Sequence, residues 1–114
     1  QPDYSFDISV GRKERGKINN ERQIGHAHLI TDTQKPHYLL KVWAPIPLDY
    51  YLCPTQNNRN KYVLFAKRVV EDGEYKFLCP VGWGILSSEL NTHIEVQFNF
   101  PHTKAFISIY PSNK

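Results

Sequence analysis

Apolar and polar side chains alternate along much of this chain. Tyr4, Phe6, Ile8 and Val10 fall on one face of an extended segment, and Ile94, Val96, Phe98 and Phe100 do the same near the other end. Successive side chains of a strand point to opposite faces, so both stretches predict half-buried strands. Segments 23–31, 38–43, 48–53, 61–70, 74–79 and 105–110 are rich in the β-branched and aromatic residues that suit a pleated surface, and they predict six more. The stretch Glu71-Asp72-Gly73-Glu74 predicts a tight hairpin, because Asp-Gly supplies the positive φ angles of a two-residue turn.

Helix signals are few. Residues 12–23 hold helix-favouring arginine, lysine and glutamate, but Gly11, Gly16 and Asn19-Asn20 weaken the pattern and no apolar stripe runs through it, so a polar loop competes with a helix there. A single capped turn at Ser87-Ser88-Glu89-Leu90 is the other candidate. The expected fold is mainly β, with an α+β variant left open. An antiparallel sheet folds as a sandwich or barrel with at most one short helix. At 114 residues the chain is one domain, 1–114. No internal repeat, linker or low-complexity tract stands out, and the tail from Pro111 is expected to fray.

Composition narrows the class without naming a task. Hydrophobic residues make up 40%, charged residues 22% and aromatics 13%, which is globular and neither disordered nor fibrous. No apolar run approaches the roughly 20 residues of a membrane-spanning helix. The net charge of +3 leans mildly toward anionic partners but lacks the density of a dedicated nucleic-acid binder. The chain opens at Gln1 and contains no Met, as either an excised piece or a mature product that has lost its initiator and any signal peptide would, so the absent signal peptide decides nothing.

Cys53 and Cys79 sit in similar contexts, Tyr-Leu-Cys-Pro and Phe-Leu-Cys-Pro, and are expected to face each other in a disulfide. Closing that loop would stabilise by roughly 3.5 kcal/mol on the chain-entropy view and would suit an oxidising, extracellular compartment. Two reduced thiols in a cytosolic protein are the alternative.

Chemistry-bearing residues are scattered. Between Arg12 and Arg22 five cations (Arg12, Lys13, Arg15, Lys17, Arg22) face two acids, Glu14 and Glu21, and could grip phosphates, although a solvated loop accounts for them as well. No aromatic within the segment stacks a base. His26 and His28, two apart, share a strand face about 7 Å from each other. They could recruit His37 or His93 for a metal, but no carboxylate is spaced to help, Asp32 lying in the following turn, and no metal or cofactor is expected. Most of the two tryptophans, seven tyrosines and six phenylalanines should build the core. Trp43, in Trp43-Ala44-Pro45-Ile46-Pro47, and Trp83, between Gly82 and Gly84, could instead anchor a partner or a sugar.

The order Pro36-His37-Tyr38, Tyr51-Leu52-Cys53-Pro54, Lys67-Arg68-Val69-Val70 and Phe77-Leu78-Cys79-Pro80-Val81-Gly82-Trp83 resembles the small secreted guanyl-specific microbial ribonucleases and their fungal ribotoxin and ribonuclease-like effector relatives, over residues 36 to 85. That family carries a Tyr-Pro-His motif, whose histidine His37 matches after Lys35-Pro36, and an Arg-Val-Val strand, whose arginine Arg68 matches. The chain departs from it at Leu52, where the family has its catalytic glutamate, and at Trp83, near where its second histidine belongs. Leucine and tryptophan cannot exchange a proton, and acid–base cleavage of RNA needs two groups that can.

The favoured expectation is therefore a small secreted, non-catalytic, effector-like interaction protein delivered to a host. It would bind a protein partner, or RNA, through Arg12, Lys13, Arg15, Lys17, Trp43 and Trp83. The alternatives are a secreted ribonuclease using His37 and Arg68 with His93 or Glu71, and a carbohydrate-binding module built on the aromatics.

Overall fold

A computed structural model describes residues 4–31, 33–43, 48–99 and 103–111. Asp32, the Ala44–Pro47 connection, Phe100 and the tail beyond Pro111 lie outside the described residues. Eight strands follow one another: β1(Ser5–Glu14), β2(Lys17–Ile30), β3(His37–Val42), β4(Leu48–Pro54), β5(Lys61–Glu71), β6(Glu74–Ile85), β7(His93–Phe98) and β8(Thr103–Ser108). Each pairs antiparallel with its sequence neighbour. Ile8↔Ile107 and Ser9↔Phe106 join β1 to β8 and close the sheet into a barrel.

The choice between sandwich and barrel thus resolves to one sheet closed on itself, which leaves no free edge along the ring. The described residues contain no helix. Ser87–Leu90 forms bends in which the Leu90 amide donates to Ser87 Oγ, a cap without a helix behind it. Residues 12–23, expected to be helix or loop, are instead the ends of β1 and β2. They turn at Arg15-Gly16, where φ is 50° and 76°. Both positive angles match a two-residue hairpin. The Asp72-Gly73 turn, at 55° and 79°, closes β5 onto β6 as expected.

The inward positions are small and aliphatic: Ile8, Ala27, Leu40, Leu52, Leu64, Ile94, Val96, Ala105 and Ile107 are buried. Rings close the mouths. Phe6, Tyr38 and Tyr62 meet edge to face at one end, and Tyr50 meets Phe98 at the other. Side chains therefore fill the lumen that could hold a ligand in a barrel of this size. Outward positions such as Lys41, Asp49 and Lys61 are charged and exposed, the reverse of a membrane-spanning barrel's apolar exterior.

The barrel repeats itself halfway round, contrary to the sequence reading. The amide of Leu29 donates to Tyr4 O and that of Leu86 to Asn60 O; Trp43 donates to Ile24 O and Asn99 to Val81 O. In each case the second bond lies about 56 positions after the first. The same offset relates the register slip at Ile8/Ser9 to that at Leu64/Phe65, and relates Gly25 to Gly82. A Cβ on either glycine would lie 2.1 Å from a neighbouring backbone oxygen, that of Lys41 or Gln97. The halves share residue class rather than identity, with Ile8 matching Leu64 and Leu40 matching Val96, and the repeat is invisible without register.

Each half sends out an arm. At its register slip the hairpin leaves the ring, bends as bulged strands do, and lies back over the outer face of the preceding strands. The β1–β2 arm covers β8 and β7, burying Ser9, Phe106 and Leu90. The β5–β6 arm covers β4 and β3, burying His37. Pro80 sits at the bulge, where a missing N–H is tolerated.

The expected disulfide is not formed; Cys53 and Cys79 are free. Cys53 pairs with Val63 on one side of β5, and Cys79 belongs to β6 on its other side. A full strand stands between them, and Cys79 lies past the register slip of β5 and β6, away from the position that would face Cys53. The residue-level ground for an oxidising compartment goes with the bridge.

Candidate functional site

The β1–β2 arm carries the basic cluster. Its two acids are engaged internally: Glu14 accepts from Asn19 Nδ2, and Glu21 Oε2 accepts from Ser9 Oγ at 2.6 Å while facing His93 Nε2 at 3.3 Å. Lys13 turns inward and bonds Glu95 at 2.9 Å, with Glu89 at 3.5 Å. Glu95 is buried and also holds Lys104 at 2.9 Å. Burial alone would push the Glu95 carboxyl up, but the hydrogen bonds and charges of Lys13 and Lys104 outweigh it and hold the group below its ordinary value. The same Glu95 bond raises Lys13.

Lys13 is therefore a clamp that docks the arm rather than a free cation. Arg12, Arg15, Lys17 and Arg22 are exposed and form no ion pair among the described residues. Arg22 joins this set from β2, across from Val10. The hairpin thus presents four cations on one docked element.

Under the β5–β6 arm lies a different arrangement. The Arg68 guanidinium carbon sits 4.4 Å from the centre of the Tyr75 ring and 4.8 Å from that of Tyr51, a double cation–π contact. Arg68 Nη1 lies 3.0 Å from His37 Nε2, and His37 Nδ1 lies 2.8 Å from Lys35 O. A carbonyl can only accept, so Nδ1 carries the proton and Nε2 accepts from Arg68. His37 is 1% exposed, ringed by Tyr51, Tyr75 and Phe77. Burial, with the Arg68 charge, lowers its pKa. The arm tip reaches the β2–β3 loop, where a cleft of about 430 Å³ opens between Thr33, Gln34, Lys35, Val70, Glu74 and Tyr75.

The residues named for cleavage do not share one site. His37 and Arg68 come together, but both imidazole nitrogens are committed and the ring is closed to solvent. His93 heads β7 under the other arm, with Thr92 Oγ1 2.8 Å from its Nδ1. Glu71 is at the arm tip beside Lys76. Leu52, where the ribonuclease pattern has its glutamate, points into the barrel and is fully buried.

Trp43 and Trp83 are 49% and 45% exposed. Trp43 stacks edge-on to His26 at 5.0 Å, and His26 faces Asp7 at 3.6 Å. Trp83 lies between Val63 and Gln97 on the opposite half. His26 and His28 are 6.5 Å apart, centre to centre, and among the described residues no group of three metal-ligating side chains converges.

Sequence reading missed Glu95, Ser9, Tyr51 and Tyr75. Each does its work across strands, Ser9 within the β1–β2 hairpin and the other three over longer separations, and local spacing carries no sign of that. No protein-family model, characterised protein or solved structure matches the chain, and the geometry carries the reading that follows.

Proposed function

We propose that this protein is a non-catalytic binding module that offers its β1–β2 arm to an acidic surface on a protein partner. One observation carries the reading: four of the arm's five cations stand exposed and outside any ion pair among the described residues, while its acids are turned to Asn19, Ser9 and His93. Had the cluster been a merely solvated surface, Glu14 and Glu21 would be the natural partners for the neighbouring arginines. Their diversion leaves a local excess of positive charge on a docked hairpin, and little ordering entropy is then lost on binding. Three of the four cations are arginines, whose guanidinium forks suit carboxylates in bidentate pairs.

RNA is the weaker reading, since residues 11–22 contain no ring on which a base could stack. The test measures fluorescence anisotropy of labelled poly-glutamate peptide and of labelled oligo(U) RNA, with wild type and with a quadruple Arg12→Gln, Arg15→Gln, Lys17→Gln, Arg22→Gln variant. Poly-glutamate binding that falls with added salt and drops at least tenfold in the variant is expected. Binding to oligo(U) alone shifts the partner class to RNA, and equal behaviour of wild type and variant removes the arm from the account.

A further inference from the structure

His37 and His93 are the first residues of β3 and β7, and the repeat superposes one on the other. Each lies beneath the arm of a different half, and each arm touches its histidine at Nε2. The chemistry of the touch is opposite. The β5–β6 arm brings a donor, Arg68; the β1–β2 arm brings an acceptor, Glu21.

We propose that acid acts on the two arms unequally: protonating His37 releases the β5–β6 arm, while the β1–β2 arm, whose group at the histidine is an acceptor, stays docked. The proposal is independent of what the protein binds.

The argument for His37 is one of lone pairs. Nδ1–H is committed to Lys35 O, so Nε2 is the only place for a second proton, and there the Arg68 N–H already occupies the lone pair. An imidazolium would set a donor against a donor and a cation against a cation at 3.0 Å. Groups from every packed element face the ring: Arg68 from β5, Tyr75 and Phe77 from β6, Tyr51 from β4 with Cys53 at the next register position, and Lys35 from the loop. Among these described residues none is a carboxylate that would compensate the new charge. Arg68, Tyr75 and Phe77 all belong to the arm, and the ring gains solvent and a proton when the arm lifts. The slip at Leu64/Phe65 and the positive φ of 61° at Cys79 mark where the hairpin bends.

His93 differs at each point. Glu21 from β2 accepts from an N–H at Nε2, so the arm sets an acceptor and not a donor against the ring. Ser9 from β1 fixes that carboxylate, and Thr92 Oγ1, beside Nδ1, can donate or accept. Phe106 from β8 meets the ring edge, and Glu95, two residues along, is shared by Lys13 and Lys104.

Hydrogen–deuterium exchange of the full chain at pH 7.5 and 5.5, with times scaled for intrinsic exchange, reads both arms at once. Protection across 66–79 should fall with acid, by at most tenfold per pH unit for one proton, while 10–22 holds. Undiminished protection at 66–79, or equal loss in both arms, overturns the proposal. His37→Gln keeps an acceptor for Arg68 that does not titrate, and should keep the arm closed at both pH values; an arm that still opens with acid in that variant refutes it. Should the variant not fold, nitrogen-15 imidazole spectra of wild type decide. His37 must show one protonated and one bare nitrogen at pH 7.5 and must titrate where 66–79 loses protection. Titration without loss of protection counts against the latch.

Discussion

Glu95→Gln is the sharpest test of what docks the β1–β2 arm. The substitution keeps shape and one acceptor but removes the charge shared by Lys13 and Lys104, each 2.9 Å away, and turns an amide donor toward one of the two ammonium groups. Hydrogen bonds to charged groups contribute roughly 1.5–3 kcal/mol when sheltered, and exposed pairs about 0.2–1 kcal/mol. The Lys104 side chain is half exposed and belongs near the lower range; that of Lys13 is one-quarter exposed and falls between them. Together the loss comes to about 1.5–2 kcal/mol, or a Tm lowered by about 6–8 °C for a domain of this size. A double-mutant cycle with Lys13→Met, followed by chemical denaturation, should return a coupling of about 1 kcal/mol. The pH dependence has a definite sign. Because the folded carboxyl is held low, its contribution is present above the ordinary carboxylate value and is lost as pH falls through the folded value. The variant should therefore show a flatter acid limb than wild type. A coupling below about 0.3 kcal/mol, or an unchanged acid limb, would mean that the Glu95 ion pairs do not hold the arm.

Two further outcomes follow from the fold. Gly82→Ala places a Cβ 2.1 Å from Gln97 O, a backbone atom that cannot yield without parting β6 from β7; a loss of upwards of about 3 kcal/mol, read by thermal melting, is expected, and a near-neutral result would contradict the close approach. Burial pushes the Cys53 thiol up to about 12, whereas Cys79 is exposed, so a thiol reagent at pH 8 should titrate one cysteine quickly and the second only on unfolding, and a reductant should leave Tm unchanged.

How much of this was legible in the sequence differs by level. Alternation located the first strand and the seventh, because a strand with one buried face writes its period directly into the chain, as Phe6, Ile8 and Ile94, Val96 do, and β-branched and aromatic content located the other six. Alternation says nothing about which strands meet at the ends, so barrel and sandwich were indistinguishable until Ile8 was seen opposite Ile107. Arg15-Gly16 escaped notice as a turn because arginine is not a residue that favours positive φ, though its angle of 50° nearly equals that of Asp72. The Leu-Cys-Pro contexts suggested facing cysteines, but shared local sequence does not fix lateral distance, and β5 separates them. The basic cluster was visible; that Lys13 leaves it to bind Glu95, 82 positions away, was not.

The placement of the aromatic rings separates the arms energetically from the barrel. A lumen of this width takes branched aliphatics in layers, and aside from the mouth rings the interior uses Ile, Leu, Val and Ala. Aromatic surplus therefore has to go elsewhere, and much of it goes beneath the arms: Tyr51, Phe65, Tyr75 and Phe77 under one, Phe106 under the other. Ring pairs of this kind contribute about 0.5–1.5 kcal/mol each beyond their burial, enough to seat a hairpin but small beside a closed eight-strand core. Past their register slips, only the pairs Ser9↔Phe106 and Tyr51↔Phe65 join the arms by ladder to the strands they cover, among the described residues. They are thus local units that can lift while the ring of hydrogen bonds stays whole, and it is on such a unit that the four free cations sit.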